Sequence, residues 1–581
     1  MNNHRICRPR PAHHAFPGTG FGIKSLVAGM SVALVFLAGC GPSPRSTSSD
    51  GGTLQPRNVD QSTAVWPQFT EATAAGLDFK HQLADGKLDN IMESDGAGGA
   101  CLDYDGDGFI DVYLVNSGPA PVLSDASAET PRWPNRLYRN RGNGTFEDAT
   151  ERAGVAGHGF GTTAAAADYD NDGDTDLLVV NFGGLILYQN QGDGTFKDVT
   201  TEAGLMSKQA GISATFLDAD RDGHLDLFVA NYLVYDPAVK SPPGTQVPYP
   251  GPLSYPPETN LFYHNRGNGT FEEIGERIGI RIPGHRGMSV TTFDYDVDGD
   301  EDLYVSNDAT PNLLLANDGQ GHFQDVAMQC GVAFDQFGRA AGTMGAAIGD
   351  INGDGLPDML VTRFGNASLY LNSPQGVFTD HITDAGILQV SSEYVGWGGN
   401  LLDIENDGDL DVFIANGDPH SMAGSPSLLL ANEGQGNFVN ISKFAGTFFQ
   451  RRLNGRGSGA LDFNNDGRMD LLITTLGGPA VLLQNRGETL HHWLKLQLVG
   501  TRGNRDGFGA RVEVTAGTRT WVAQARCPTS YVFQQDPRLH FGLGTNAVIS
   551  RIRVLWPSGQ TQELTQTGVD RILRLEEPRQ L

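Results

Sequence analysis

One polarity pattern repeats along most of the chain. A run of small residues comes first, as in "GTTAAAA", "GISATF", "GMSVTTF", "GTMGAAIG" and "GSGAL". A nine-residue acidic segment follows, and after it an apolar run: "VYLVN", "LLVVN", "LFVAN", "LYVSN", "MLVT", "VFIAN" or "LLITT". A second apolar run ends in Asn, and a Gly-rich turn then leads to Phe, as in "LYQNQGDGTFKDVT". Short apolar runs bounded by NG, DG and GNG turns predict antiparallel hairpins. Each unit therefore reads as four strands, with the acidic segment joining the first to the second.

The acidic segment occurs seven times, starting at Asp103, Asp168, Asp218, Asp294, Asp350, Asp403 and Asp462. Four-stranded units repeated four to eight times describe a β-propeller. Small residues suit its innermost strand, where the blades crowd round one axis. The Phe-initiated fourth strand follows units one to six, at Phe146, Phe196, Phe271, Phe323, Phe378 and Phe438, and is missing after the seventh. It is found instead near the start, in "FTEATAAGL" from Phe69. The N-terminal strand is therefore predicted to complete the last blade, and the closed ring leaves no free sheet edge.

The predicted fold is all-β, a seven-bladed propeller over residues 66–488 and a small β-sandwich-like domain over 489–581. The sandwich rests on the alternating runs "WLKLQLVG", "ARVEVTAG", "TWVAQARC" and "RIRVLW", which show no helical period.

Within each acidic segment, positions 1, 3, 5 and 9 carry side-chain oxygens and position 6 is Gly. The 28 oxygen positions hold 25 Asp, two Asn and one Glu. They are Asp103, Asp105, Asp107 and Asp111; Asp168, Asp170, Asp172 and Asp176; Asp218, Asp220, Asp222 and Asp226; Asp294, Asp296, Asp298 and Asp302; Asp350, Asn352, Asp354 and Asp358; Asp403, Glu405, Asp407 and Asp411; and Asp462, Asn464, Asp466 and Asp470. A merely solvated turn would mix in Lys, Ser and Gln. Hard oxygen ligands with a Gly for the tight turn suit Ca²⁺, and the absence of His and Cys from these positions argues against zinc or copper. Up to seven structural calcium ions are expected, with the segments at Asp350 and Asp462 weakened by Asn at position 3.

An EF-hand is excluded, because it needs a bidentate Glu at position 12 and flanking helices. Position 12 is Leu114, Val179, Val229, Val305, Val361, Ile414 or Ile473, each inside a predicted strand. The segments hold 30 acids and two bases, Arg221 and Arg468. Their net of −28 is slightly more than the formal charge of the whole chain, −27.

The ends add an address. Arg5, Arg8, Arg10 and Lys24 precede the apolar run "SLVAGMSVALVFLAG", too short to span a bilayer and long enough for a signal-peptide core. "LAGC" resembles a bacterial lipobox, which implies cleavage of residues 1–39 and lipidation of Cys40. Residues 40–65, rich in Ser, Gly and Pro, read as a flexible tether. The expected location is the bacterial cell envelope, exported and held to the membrane through the lipid alone. Three widely spaced cysteines in the body, Cys101, Cys330 and Cys527, suggest neither a disulfide framework nor a zinc site. The strong negative charge disfavours nucleic acid as a partner.

The repeat resembles the FG-GAP (VCBS) repeat of integrin α-subunit propellers, which implies a seven-bladed fold with Ca²⁺ in the DxDxDG loop. The tail, with "HHWLKLQLVGTRGNRDGFGARVEVTAG", "RLHFGLG" and "VLWPSGQTQEL", resembles the ASPIC/UnbV domain found after such propellers in the cartilage acidic protein family. Together the two resemblances imply an extracytoplasmic calcium-binding protein.

No HExxH, GxSxG or P-loop motif is present. Two inserts, residues 117–134 and 232–259, fall between second and third strands, on the face opposite the calcium loops. Tyr232, Tyr235, Tyr249 and Tyr255 in the longer insert are candidates for stacking on a sugar or gripping a peptide, or else for covering the central channel. The expected function is a calcium-binding adhesion module for an extracellular carbohydrate or protein ligand. The alternative is an enzyme on the same scaffold, a polysaccharide lyase or an oxidoreductase. A buried acid–base cluster near Tyr249 would favour the enzyme, and an open aromatic shelf would favour binding.

Overall fold

The computed structural model describes residues 66–83, 86–118, 120, 133–241, 243–245, 247–488 and 490–579. The signal segment, Cys40, the tether and most of the 117–134 insert lie outside these residues.

Seven sheets of four strands form the ring. Blade two shows the plan: Gly161–Ala167 innermost, then Asp176–Asn181, Gly184–Asn190 and Phe196–Asp198, each antiparallel to the last. Blade seven pairs Gly455–Leu461, Asp470–Thr475 and Val481–Asn485 with Phe69–Glu71 from the N-terminus. Both chain ends thus share one sheet, as the displaced Phe-initiated strand requires. The innermost strands lie side by side in chain order, and that of blade one, Gly99–Leu102, also meets that of blade seven. Between blades the apolar faces of neighbouring sheets form a series of separate cores.

A side-chain belt ties the blades together. The Asn that ends each third strand donates Nδ2–H to the carbonyl of position 2 in the preceding blade's acidic loop, at 2.7–3.1 Å in all seven blades. These residues are Asn140, Asn190, Asn265, Asn317, Asn372, Asn432 and Asn485. In five blades the same amide also donates to position 8 of its own loop.

The C-terminal domain is a sandwich of two sheets. Leu539–Gly544, His492–Val499 and Arg571–Glu576 make one, and Arg519–Gln524, Arg511–Ala516, Val548–Leu555 and Thr561–Gly568 the other. Their inner faces share a core that includes Leu496, Val514, Ile552 and Trp556.

Between the two sheets the chain leaves the sandwich and enters the propeller. Residues 527–535 fold back on themselves as a finger, with Ser530 N–H donating to Phe533 O at 3.0 Å and Gln535 N–H to Pro528 O at 3.1 Å. Phe533–Gln534 adds a fifth strand, parallel, to the inner edge of blade one. Val532 O accepts from Gly99 N and from Thr163 Oγ1, and Gln534 grips both the N–H and the C=O of Ala166. Thr529 reaches Val290 O, and Ser530 exchanges hydrogen bonds with Gly399. The finger therefore occupies the central channel. This gives the small residues of the inner strands a second cause beyond the crowding of seven strands. A Cβ at Gly345 would lie 2.6 Å from Tyr531 N, and one at Gly98 only 2.2 Å from Val532 O.

Candidate functional site

Each acidic loop is built by the same contacts. The position-1 carboxylate accepts the Gly N–H of position 6 in all seven loops, at 2.7–3.1 Å. In six of them it also accepts the N–H of position 5. Position 5 accepts the N–H of position 7 throughout. Position 9 is buried and accepts the N–H of the third-strand Asn in every blade. Two residues of each loop are left-handed: Gly at position 6, and position 4, where Gly106, Asn171, Arg221, Val297, Gly353, Asn406 and Asn465 have φ between 56° and 75°. This winding turns the side chains of positions 1, 3, 5 and 9 inward together.

The oxygens so gathered fit a hard cation. Asp103, Asp105 and Asp111 offer oxygens within 4.8 Å of one another, as do the sets Asp168, Asp170 and Asp176; Asp218, Asp220 and Asp222; and Asp294, Asp296 and Asp302. Bonds of about 2.3–2.6 Å to one Ca²⁺ span that separation. Within the loops Oδ1 of Asp105, Asp170, Asp218 and Asn464 is buried with no hydrogen-bond partner. Burial of such an oxygen is costly unless something electropositive meets it. Burial, its largest cause, pushes the carboxyls up: Asp103 to about 6, Asp168 to about 7 with Asp506 adding, Asp294 and Asp358 to about 7, and Asp176 to about 9. A bound divalent ion removes that penalty, because it stabilises the ionised form. Where the donors are oxygen alone, the residues present thus fit calcium, and they would hold it as structural ligands.

The loops differ in their surroundings. In blades five and seven the position-3 amide of Asn352 or Asn464 donates to the position-5 carboxylate of Asp354 or Asp466. In blade seven the fully buried Lys495 also places Nζ 3.4 Å from Asp462 Oδ2, and Arg468 pairs with Asp466. Part of the charge a cation would neutralise is already met there. In blade one Arg139 pairs with Asp105 and Asp107. In blade three His264, from the third strand, lies 3.1 Å from Asp226 Oδ1. Sequence spacing missed His264 because it stands 38 residues from its partner, on another strand.

The C-terminal domain roofs the acidic-loop face. Trp521 Nε1 donates to Gly408 O, Arg511 to Gly355 O and Arg538 to Gly108 O. Asp506 accepts the N–H of Asp168, and Gln524 that of Asp294. Beneath the roof, a cavity of about 580 Å³ lies between the first two loops and the sandwich, with Asp107, Asp174, Asp506, Arg538 and Arg574 on its walls.

On the opposite face the long insert folds inward. Tyr232, Tyr249 and Tyr255 are buried in a cluster with Trp397, Met288, Met344 and the fingertip Tyr531 and Val532. Tyr235 is half-buried and packs on Tyr255 and Phe182. Three of the four tyrosines therefore close the channel from within and form no open shelf. Their apolar rings find burial there, while their hydroxyls find partners: Tyr249 bonds Pro419 O and Tyr232 bonds Asp308 at 2.5 Å. Beside them Arg456 is fully buried, stacked 3.9 Å above Trp397 and bonded to the carbonyls of Ser94, Gly455 and Asp418. Burial, then the Asp308 charge, hold the Asp95 carboxyl well above the usual carboxylate range. Cys101, Cys330 and Cys527 are buried and free. No described helix is long and apolar enough to cross a membrane.

Comparison with known proteins agrees with this architecture. Residues 103–179, 168–229, 253–305, 294–361, 350–414 and 403–473 match the FG-GAP-like repeat family, and residues 500–581 match the family described as ASPIC and UnbV. The chain belongs to the FG-GAP-like repeat proteins and carries an ASPIC and UnbV domain. Among curated proteins it is similar to cartilage acidic protein 1 of Homo sapiens, 24% identical over 332 residues, and of Xenopus tropicalis, 23% over 331; each match covers 54% of this chain and 48% of the relative. The chain thus aligns with about half the length of these relatives. Two solved structures are alike more loosely. One is an Agrocybe aegerita lectin that recognises non-reducing terminal N-acetylglucosamine, at a TM-score of 0.36 and 18% identity, over 59% of this chain and 79% of that one. The other is BBS1N in complex with ARL6DN, at a TM-score of 0.40 and 9% identity, over 72% of this chain and 98% of that one.

Proposed function

We propose that this FG-GAP-like protein is an exported, lipid-anchored binding module of the bacterial cell envelope, stiffened by calcium. It presents the propeller face opposite the calcium loops to a protein ligand. The observation that carries this reading is the division of labour between the two faces. One is occupied by the metal loops and roofed by the ASPIC and UnbV domain. The other is closed by the buried tyrosines and carries exposed apolar side chains on its connections, among them Met206, Leu253, Phe337, Phe364 and Met422. With Tyr232, Tyr249 and Tyr255 buried, exposed aliphatic and phenyl groups favour a protein surface over a sugar. The oxygen-rich loops suit the millimolar calcium outside cells, where modules of this kind bind with Kd on the order of 10⁻⁴–10⁻³ M.

Photo-crosslinking from Phe337 and Phe364 on the anchored protein, with a glycan array in parallel, tests the reading. A discrete envelope-protein adduct, lost in EDTA, is the expected result. Glycan binding without any adduct would replace the protein ligand by a carbohydrate. EDTA should also lower the unfolding temperature by several degrees, because ligation stabilises only the folded state; an unchanged melt would sink the calcium assignment. Cys40→Ser should move the protein from the membrane to the soluble fraction.

A second reading, an enzyme on the same scaffold, draws support from one observation. The Asp95 carboxylate is buried beside Tyr531 and Asp308, and its Oδ2 has no hydrogen-bond partner. Turnover of a polysaccharide or a redox dye that vanishes in a folded Asp95→Asn variant would establish it.

A further inference from the structure

We propose that the acidic loop of blade three is a site for a transition-metal ion, with His264 as a nitrogen ligand beside Asp220 and Asp226, in place of the calcium that suits its six counterparts. The imidazole comes from the third strand of the blade, Leu261–Asn265, whose pairing with Asp226–Asn231 and Phe271–Glu273 fixes the position of His264. Its Nδ1 lies 3.1 Å from Asp226 Oδ1 and 3.8 Å from Asp220 Oδ2. One ligand atom from each of Asp220, Asp226 and His264 falls within a 4.8 Å cluster. A tetrahedral ion with bonds of about 2.1 Å holds neighbouring ligand atoms about 3.4 Å apart. The two separations observed bracket that distance.

A second, independent observation marks the same loop. Asp218 is only 5% exposed and its Oδ1 has no hydrogen-bond partner. In the other six loops the position-1 Oδ1 accepts the N–H of position 5. Asp218 also offers an oxygen within 4.8 Å of those of Asp220 and Asp222, so it borders the ligand set through Asp220.

The strand position that holds His264 is what separates this blade from the rest. The corresponding residues are Arg139, Gln189, Ala316, Leu371, Ala431 and Gln484. None of these supplies a neutral nitrogen donor. An imidazole joined to carboxylates suits zinc, cobalt, nickel or copper, whereas calcium takes oxygen alone. The site would be closed on the protein side by two carboxylates and one imidazole, with Asp218 at its edge. A coordination position remains for water or for a group brought by a partner.

The test uses the full chain stripped with chelator and then held in several millimolar Ca²⁺, so that the other loops are satisfied before the probe is added. Co²⁺ titration read by its visible ligand-field bands should show one equivalent bound, and Zn²⁺ should displace it. His264→Gln keeps a polar group of similar reach and should weaken that equivalent by at least about 100-fold, because losing even an outer-shell partner of a ligand costs about 10–100-fold. Calcium binding at the other loops, followed in the same samples, should be unchanged in the variant, which separates this proposal from the general calcium assignment. Displacement of Co²⁺ by millimolar Ca²⁺, or the same Co²⁺ bands and affinity in His264→Gln, would overturn the proposal. A second variant, Asp226→Asn, guards against an unrelated histidine: Co²⁺ binding that survives it unaltered has the same consequence.

Discussion

Asn140 Nδ2 donates to Phe463 O across 2.7 Å, joining the third strand of blade one to the acidic loop of blade seven. This single amide bridges the point where the ring closes. Its second donor contact is Ile110 O, and its Oδ1 accepts the N–H of Gly142. Replacing Asn140 by Ala leaves two buried carbonyls short of a donor, a cost of about 1–3 kcal/mol. Urea denaturation in saturating calcium should show that loss, and Asn190→Ala, which makes the same two contacts at an ordinary blade junction, should match it. A loss below about 0.5 kcal/mol in both, the level of ordinary surface substitutions, would mean the belt is decorative.

Val297 and Gly299 tell how much of each loop is dictated by the backbone. Both stand in the left-handed region, Val297 at φ 60°. A β-branched residue there is strained by roughly 1–2 kcal/mol. The corresponding positions in blades two, six and seven hold Asn171, Asn406 and Asn465, which tolerate that region better. Val297→Asn should therefore stabilise the protein by about 1 kcal/mol, read as a shift of the denaturation midpoint. Destabilisation would show that the valine side chain packs usefully where it is.

The blades, their order and the acidic loops are legible in the sequence because each is encoded locally. Strand, turn and loop recur within some 60 residues, and the misplaced Phe69 strand betrays the closure. The finger is not legible in that way. Its hydrogen-bond partners, such as Gly99, Thr163, Ala166 and Gly399, come from separate blades far away in the chain. Its own residues, "PTSYVFQQDP", carry only the hint of three large apolar side chains between prolines in what should be a loop. The tyrosines of the long insert are ambiguous for a related reason. Pro and Tyr in a surface connection fit an open shelf and a cover for the central channel equally, and only the presence of Tyr531 at the channel end shows what Tyr232, Tyr249 and Tyr255 pack against. His264 is not legible in the same way, because the ligand pattern runs along one loop and the imidazole arrives from the strand Leu261–Asn265.

Phe533 makes the finger part of the propeller core. It is buried with Cys101, Ile110, Leu114, Leu461 and Leu472, residues of blades one and seven. Phe533→Ala removes a ring from a site that backbone on both sides holds open, so about 3–5 kcal/mol should be lost. The same change should separate the unfolding of the C-terminal domain from that of the ring, because the finger is a core they share. Calorimetry should show one transition in the native protein and two in the variant; a single transition with a loss below about 1 kcal/mol, too small for a buried ring, would contradict the shared core.

His81 supplies a pH dependence whose sign can be worked out. The ring is fully buried. Its Nδ1 accepts the N–H of Gly477 at 3.1 Å, and its Nε2 lies 3.0 Å from Ser117 Oγ, whose own proton goes to Gly161 O. The imidazole is therefore neutral, and protonating Nδ1 would set a proton against the Gly477 N–H. Burial, with Arg456 adding, pushes its pKa down to about 3, whereas in the unfolded chain it lies near 6.5. Between those values the unfolded state binds more protons, so stability rises with pH across the window. The contribution is complete above about pH 6.5 and is lost as the pH falls toward 3. At pH 5 the loss amounts to about 2 kcal/mol, taking 1.4 kcal/mol per pKa unit. Measured between pH 4.5 and 7 in saturating calcium, which keeps the loop carboxylates ionised, the native protein should show this slope. His81→Gln should flatten it by about one proton, even though the variant is less stable at every pH. Parallel curves for the two proteins would show that the buried imidazole is not the titrating group.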